Sequence, residues 1–392
     1  MTHDTNIPQG YKATALGIIP QEWEVRPLNY LGAICSGGTP DTEVAEYWNG
    51  DIAWCTPSDI TKLDTKYIES TEVKITAKGL KESSATLLPP RSIVVCTRAT
   101  IGNAAICNTE IATNQGFKNI IPNEKTNPEW LYYIIIYSKP RLVRFGCGST
   151  FLEVSKKDFS RFKIAVPPLA EQRKIAEVLG VWDKAIEKQA RLIEKLALRK
   201  RALMQRLLSA KLRLPGFSEP WKKVKLGDVA ELYQPQTIQS EDLSQTGYPV
   251  YGANGLIGYY NNYNHEYPQV VITCRGSSCG TVNFTPGKCW ITGNAMVLNV
   301  DNNRDVNKSF FYYLISNSSF VNLISGSGQP QIVRQPLLKF ELRIPPLKEQ
   351  TAIAEVLTAA DREIDLAKEK LERLRRQKRG LMQQLLTGKK RI

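Results

Sequence analysis

The sequence predicts an α+β protein with two similar halves. Each half is a globular segment of strands and a few helices followed by one long helix, and the two long helices form an antiparallel coiled coil with internal pseudo-twofold symmetry. Three observations predict this. A stretch of 49 residues occurs twice, at 166–214 and 344–392, 178 positions apart without a gap and with 23 identities. Both copies carry a sustained apolar seam. Both follow a longer, more divergent segment built of short β-type runs and turn residues. Two copies are too few for a solenoid, so the repeat sets a two-part architecture.

Residues 1–12 are polar and read as a flexible N-terminus, and residues 13–165 form the first globular segment. It opens on Ile19-Pro20-Gln21-Glu22-Trp23, with Leu28 five residues after the tryptophan. Residues 92–97 hold an Ile-Val-Val-Cys run, continuous enough for a buried strand. The run leads into Arg98 and a loop ending at Gly102. Asn114-Gln115, an aromatic-led helix at 128–137 and the turn Gly148-Ser149-Thr150 follow.

The first repeat copy, 166–214, opens on Pro-Pro, a start signal that extends the preceding backbone and pre-sets the first helical turn. Residues 215–343 form the second globular segment, with the same order of parts. It has Phe217-Ser218-Glu219-Pro220-Trp221 with Leu226, a Val-Val-Ile-Thr strand at 270–273, Arg275 with a loop to Gly280, and Gly293-Asn294. A helix at 309–315 and the turn Gly326-Ser327-Gly328-Gln329 complete it. The second copy, 344–392, ends the chain.

Spacings of four and three run through both copies. The first seam is Ile175, Leu179, Trp182, Ile186, Gln189, Ile193, Leu196, Lys200, Leu203 and Leu207. The second is Ile353, Leu357, Ala360, Ile364, Ala367, Leu371, Leu374, Lys378, Leu381 and Leu385. Heptad spacing held this long is a coiled-coil signal. An antiparallel pairing whose residue numbers sum to 560 sets all ten positions opposite one another, Ile175 on Leu385 and Leu196 on Ile364. Lys200 then faces Ala360 and Lys378 faces Trp182. Each lysine stem is expected to cover its apolar neighbour while its ammonium reaches water. At about 1.5 Å per residue such helices make a rod roughly 55 to 60 Å long, a spacer.

Hydrophobic content of 42% and charged content of 23% suit a globular chain. No stretch reaches 18 consecutive apolar residues and the N-terminus lacks a signal-like run, so a cytoplasmic protein is expected. Eight cysteines without a C-x-x-C pair, and two histidines, read as reduced, mostly buried thiols rather than a metal site. Net charge is +14, and residues 169–214 and 347–392 each carry 12 Lys+Arg against 5 and 7 Asp+Glu. Nearly all the excess therefore lies on the helices. Arg199-Lys200-Arg201, and Arg373, Arg375, Arg376, Lys378 and Arg379, are the concentrations expected to meet either a polyanion or an acidic docking partner.

The order of segment, Pro-Pro-Leu-x-Glu-Gln helix, segment, Pro-Pro-Leu-x-Glu-Gln helix resembles the specificity (S) subunit of type I restriction-modification systems. Local phrases agree: Gly10-Tyr11-Lys12 ahead of Ile19-Pro20, Ser36-Gly37-Gly38-Thr39-Pro40, the Arg98 loop, and Leu-Met-Gln-x-Leu-Leu at both helix ends. The resemblance implies that 13–165 and 215–343 are target recognition domains, each reading one half of a split, asymmetric double-stranded DNA site. It implies that the helices hold them apart and dock two methyltransferase (M) subunits, with restriction/translocase (R) subunits joining. No cofactor is expected on this chain; S-adenosylmethionine, ATP and Mg belong to the partners. The family implies no catalytic residue here, so the expectation is a non-catalytic DNA-specificity subunit.

Base edges are read by hydrogen-bonding side chains on loops, with Arg suited to guanine and Asn or Gln to adenine. Candidates are Thr39, Ser58, Arg98, Thr100, Ser149 and Thr150 in the first segment, and Arg275, Ser277, Ser278, Gln329 and Gln331 in the second. The competing class is a DNA-modifying enzyme with an unrecognised site. Its signals are weak. Asp41 with Asp64-Thr65-Lys66 imitates a nuclease metal site, and Asn127-Pro128-Glu129-Trp130 imitates an amino-methyltransferase motif without its second proline and tyrosine. No phosphate-binding G-x-x-x-x-G-K-[ST] occurs.

Overall fold

A computed structural model describes residues 7–146, 153–252, 255–326 and 328–392. Two compact units emerge, one of residues 1–190 with 370–392, the other of residues 191–369. The division passes through both long helices, Leu169–Leu207 and Leu347–Leu386. Each unit thus contains a globular segment, the near part of one helix and the far part of the other.

In the first unit, the all-buried strand Ile93–Cys96 is central to a five-stranded sheet. The order is Gly32–Ser36, Phe117–Pro122, Ile93–Cys96, Ala104–Cys107, Tyr67–Ile68. A strand covered on both faces has no solvent side, which is why its apolar run is continuous. In the second unit Val270–Thr273 holds the same place, ordered Glu231–Tyr233, Ala295–Asn299, Val270–Thr273, Val282–Phe284. Each unit adds a small sheet with one parallel pair, Trp48–Cys55 beside Ile111–Thr113 and Tyr248–Gly252 beside Trp290–Ile291. A short antiparallel pair then ties the start of each segment to its end, Glu24–Pro27 with Lys163–Val166 and Lys222–Lys225 with Glu341–Ile344.

The helix expected at 128–137 runs further, Pro128–Phe145, with Pro140 inside it. Leu142 beyond the proline is buried, and that packing offsets the hydrogen bond the proline removes. The second helix is Lys308–Ser316. Asn127 and Asn307 cap these helices, their side-chain oxygens accepting from Trp130 N–H at 2.9 Å and Phe310 N–H at 3.0 Å. Asn127-Pro128-Glu129-Trp130 is thus a capped helix start.

The repeat motif holds each helix to its segment. Gln172 Oε1 accepts from the Asn127 N–H at 2.9 Å, and Nε2 donates to the Pro167 carbonyl at 3.0 Å. Gln350 does the same with Asn307 and Pro345, both at 2.9 Å. Glu171, buried, accepts from the Trp23 indole at 2.9 Å and from Arg391 at 2.6 Å. Its counterpart Glu349 accepts two bonds from Arg213, at 2.6 and 2.9 Å. A buried carboxylate persists only when paired in this way.

The seam packs antiparallel within each unit. Ile175 and Leu179 share the first core with Met382, Leu385 and Leu386. Leu207 shares the second with Ile353 and Leu357, and Leu196 clusters with Ile364 and Ala367. Ala360 and Leu371 are also buried, whereas Trp182, Ile186, Ile193, Leu203, Leu374 and Leu381 are half-buried.

The seam lysines have partners that the heptad pattern did not name. Each ammonium meets the aspartate one position past the residue opposite. Lys378 pairs with Asp183 and Lys200 with Asp361, the lysine side chains only 18% and 19% exposed. Tyr133 donates to the same Asp183, and Tyr313 donates to Asp361 at 2.7 Å. The tyrosine rings take the cations on their faces, Lys378 5.1 Å and Lys200 5.3 Å from the centroids. Burial and the adjacent aspartate push both phenols above their ordinary range. A low-dielectric site beside a tyrosine costs an ammonium less when a carboxylate is also present.

Candidate nucleic-acid interface

In the first unit, four loops converge at one end of the main sheet around Asn114–Gly116. Thr97 N–H donates to the Gly116 carbonyl at 2.8 Å, fixing the end of the Arg98 strand against that turn. Gly38 N–H donates to Thr113 O at 2.9 Å, which brings in the glycine loop carrying Thr39. Thr39 donates to Gln115 Oε1. Gly37 has no room for a side chain, since a Cβ there would lie 1.8 Å from the Asn114 carbonyl. Ser58 is exposed at the start of the helix Pro57–Thr61 and shares a 2.7 Å hydrogen bond with Thr56.

Arg98 is exposed as it leaves the buried strand, because Ala99 turns the chain at φ 54°. Its guanidinium binds Glu153 at 2.7 Å, and the two residues also form a backbone bridge. Glu153 reaches the buried Lys118 at 3.5 Å as well. The Arg98 hydrogen bond holds the Glu153 carboxyl below its usual range, while burial lowers the Lys118 ammonium. The Thr100 hydroxyl oxygen is buried. Ser149 and Thr150 lie outside the described residues.

The second unit builds the same end. Cys274 N–H donates to the Asn294 carbonyl at 3.0 Å, and Gln234 donates to Gly293 O at 2.9 Å. Arg275 is exposed and bridges Gln331 through backbone. Gly276, at φ 85°, takes the turn position that Ala99 holds in the first unit. Its N–H donates to Pro330 O at 3.0 Å, and Ile332 N–H donates to Cys274 O at 2.9 Å. Arg275, Ser277, Ser278 and Gln331 thus share one cluster, and Gln329 is exposed two residues before Gln331.

This doubled arrangement, an arginine at a strand end ringed by short polar loops, suits reading base edges. The model of the type I restriction modification DNA specificity domain matches residues 20–197 and again 218–376. The chain belongs to this family. Among curated members it is 39% identical to the MjaIX specificity subunit of Methanocaldococcus jannaschii over 48% of this chain and 45% of that one. It is 26% identical to the EcoprrI specificity subunit of Escherichia coli over 87% and 88%. The crystal structure of the type I restriction-modification S subunit from M. genitalium shares the fold, with a TM-score of 0.59 at 16% identity across 98% of both chains.

Residues that sequence reasoning left off the interface are Gln115, Lys118, Glu153, Gln234 and Asn294. Gln115 and Asn294 sit in polar pairs at corresponding places in the two halves, Asn114-Gln115 and Gly293-Asn294, which is a usable signal. Lys118 and Glu153 had none, because a charge in a strand reads as a solvated face until its neighbours are known.

Two residues of the rival metal site have other partners. Lys66 is bound to Tyr133 at 2.7 Å and Asp183 at 3.2 Å, and Asp41 caps the Glu43 N–H at 3.0 Å. Among the described residues no cluster of three metal-ligating side chains occurs, and no helix is long and apolar enough to cross a membrane. Part of the helices' positive charge is spent internally: Arg199 pairs with Glu363 at 3.0 Å and Arg375 with Glu372 at 2.7 Å. Arg201, Arg373, Arg376 and Arg379 are exposed and make no ion pair with a described residue.

Proposed function

We propose that this chain is the non-catalytic reader of a type I restriction-modification complex, recognising a two-part, asymmetric DNA site. Residues 13–165 read one half-site and residues 215–343 the other, as target recognition domains. The repeat helices, 166–214 and 344–392, space them by roughly one helical turn of DNA, the separation that paired readers commonly use. Two methyltransferase subunits dock on the helices, restriction/translocase subunits join them, and S-adenosylmethionine, ATP and Mg bind those partners. The complex works in the cytoplasm.

One observation carries this reading. The same loop-ringed arginine is built twice, Arg98 and Arg275, in segments joined to two copies of one helix repeat but with different surrounding side chains. Two readers of one design with unlike contacts suit a split site with unlike halves. The test is to map methylated positions made by the reconstituted complex, then to exchange residues 13–165 for those of a relative. One half of the motif is expected to change. A change in both halves, or methyl-donor binding by this chain alone, overturns the reading.

A further inference from the structure

The sheet registers place three residues of one half on three of the other. Lys118 opposes Val95 as Met296 opposes Ile272, and each opposed residue lies three places before its arginine. Arg98 bridges Glu153 as Arg275 bridges Gln331. The first half therefore holds a charged trio and the second an arginine with two neutral partners.

A carboxylate at an edge meant for DNA is repelled by phosphates and needs a compensating reason to be there. Glu153 has one oxygen on Arg98 at 2.7 Å and the other toward buried Lys118 at 3.5 Å, and its side chain remains 29% exposed. Two cations offset its charge and leave acceptor capacity at the surface. Neutral Gln331 needs no cation beneath it, and Met296 stands where Lys118 would be. The acid and the buried lysine occur together, and the amide and the methionine occur together.

Building on the reading above, we infer that Glu153 and Gln331 are specificity-determining residues, each setting together with its arginine which bases are recognised in its half-site. An ionised carboxylate only accepts hydrogen bonds, so Glu153 is matched to the cytosine amino group while Arg98 is matched to a guanine. An amide both donates and accepts, so Gln331 is matched to adenine. Lys118 is a positioning residue that acts through Glu153.

The experiment uses the full chain with its methyltransferase subunits and maps methylated motifs for wild type, E153Q, the double variant K118M/E153Q, and Q331E. The double variant copies the neutral pair of the other half and stays decisive if E153Q strands Lys118 and misfolds. K118M/E153Q is expected to lose preference for a C·G pair at one position of one half-site, by roughly 5- to 150-fold, and to leave the other half unchanged. Q331E is expected to alter only the opposite half. An unchanged motif, or an equal fall in methylation at every site, overturns this inference and leaves the two-reader function standing. A wild-type complex without a two-part motif overturns both.

Discussion

The two globular segments meet two copies of one helix repeat with partly different partners. In the first unit Asp183 gathers Lys378, Lys66 and Tyr133; in the second Asp361 gathers Lys200 and Tyr313. Glu171 holds both Trp23 and Arg391, whereas Glu349 holds Arg213, and the buried Trp221 indole has no hydrogen-bond partner among the described residues. The bonds drawn from within the repeat recur in both units. Of those to the globular segments, the bonds to Asn127 and Asn307 and to Tyr133 and Tyr313 recur as well, while the bonds of Lys66 and Trp23 occur in the first unit alone among the described residues. Identity between the copies therefore marks the joint between helix and segment, and divergence marks where each segment has been freed to change.

The largest test breaks the seam that the copies share. Leu196→Asp buries an unpaired charge against Ile364 and is expected to cost about 3 to 5 kcal/mol, read as a fall in denaturant midpoint. Leu179→Asp does the equivalent in the first unit. A mild effect at either position contradicts the packed seam.

Next come the aspartates. Asp183→Asn leaves two ammonium groups beside Tyr133 and is expected to cost roughly 3 kcal/mol. Asp361→Asn strands one lysine at a more exposed carboxylate, and screening holds the loss to about 1 to 2 kcal/mol. Equal losses would mean that Lys66 adds nothing to the difference.

Trp23→Phe removes a hydrogen bond to a buried carboxylate, and should exceed Trp221→Phe by about 1 to 2 kcal/mol, because the second indole donates to no described residue. A larger loss at Trp221 would point to a bond the comparison omits.

The last effect is alkaline. Burial pushes the Cys107 thiol from 9.0 up to about 12 and Cys274 up to about 11. A folded pKa above the unfolded one means the native state keeps its proton longer, so this stability is full below pH 9 and falls as pH rises. Cys107→Val should flatten that fall up to about pH 12, and Cys274→Val only to about 11, as read from denaturant midpoints across pH. Parallel curves for variant and wild type would remove the thiols from the account.

Much of the architecture was legible because it is periodic or repeated. The seam residues recur every three or four positions, and the 560 register put Leu196 on Ile364 before any coordinates. The interface was legible only in part. Arg98 and Arg275 stood out by following buried strands, whereas Thr100 shared that loop and turned its hydroxyl inward. The aspartate partners of the seam lysines were not legible, because position on a heptad says which face a residue occupies and nothing about an aspartate on the opposite helix.

By itself the sequence determined two halves, two long helices, their antiparallel register and the polar residues common to both copies. Short-range spacing and self-similarity are properties of the chain alone, and helix geometry converts them directly into faces. Tertiary structure decided which carboxylate holds which cation, and that Thr39, Gln115, Arg98 and Glu153 meet at one sheet end. Those contacts join loops up to 114 positions apart, from Thr39 to Glu153. No local pattern encodes them; they exist only once the strands between have paired.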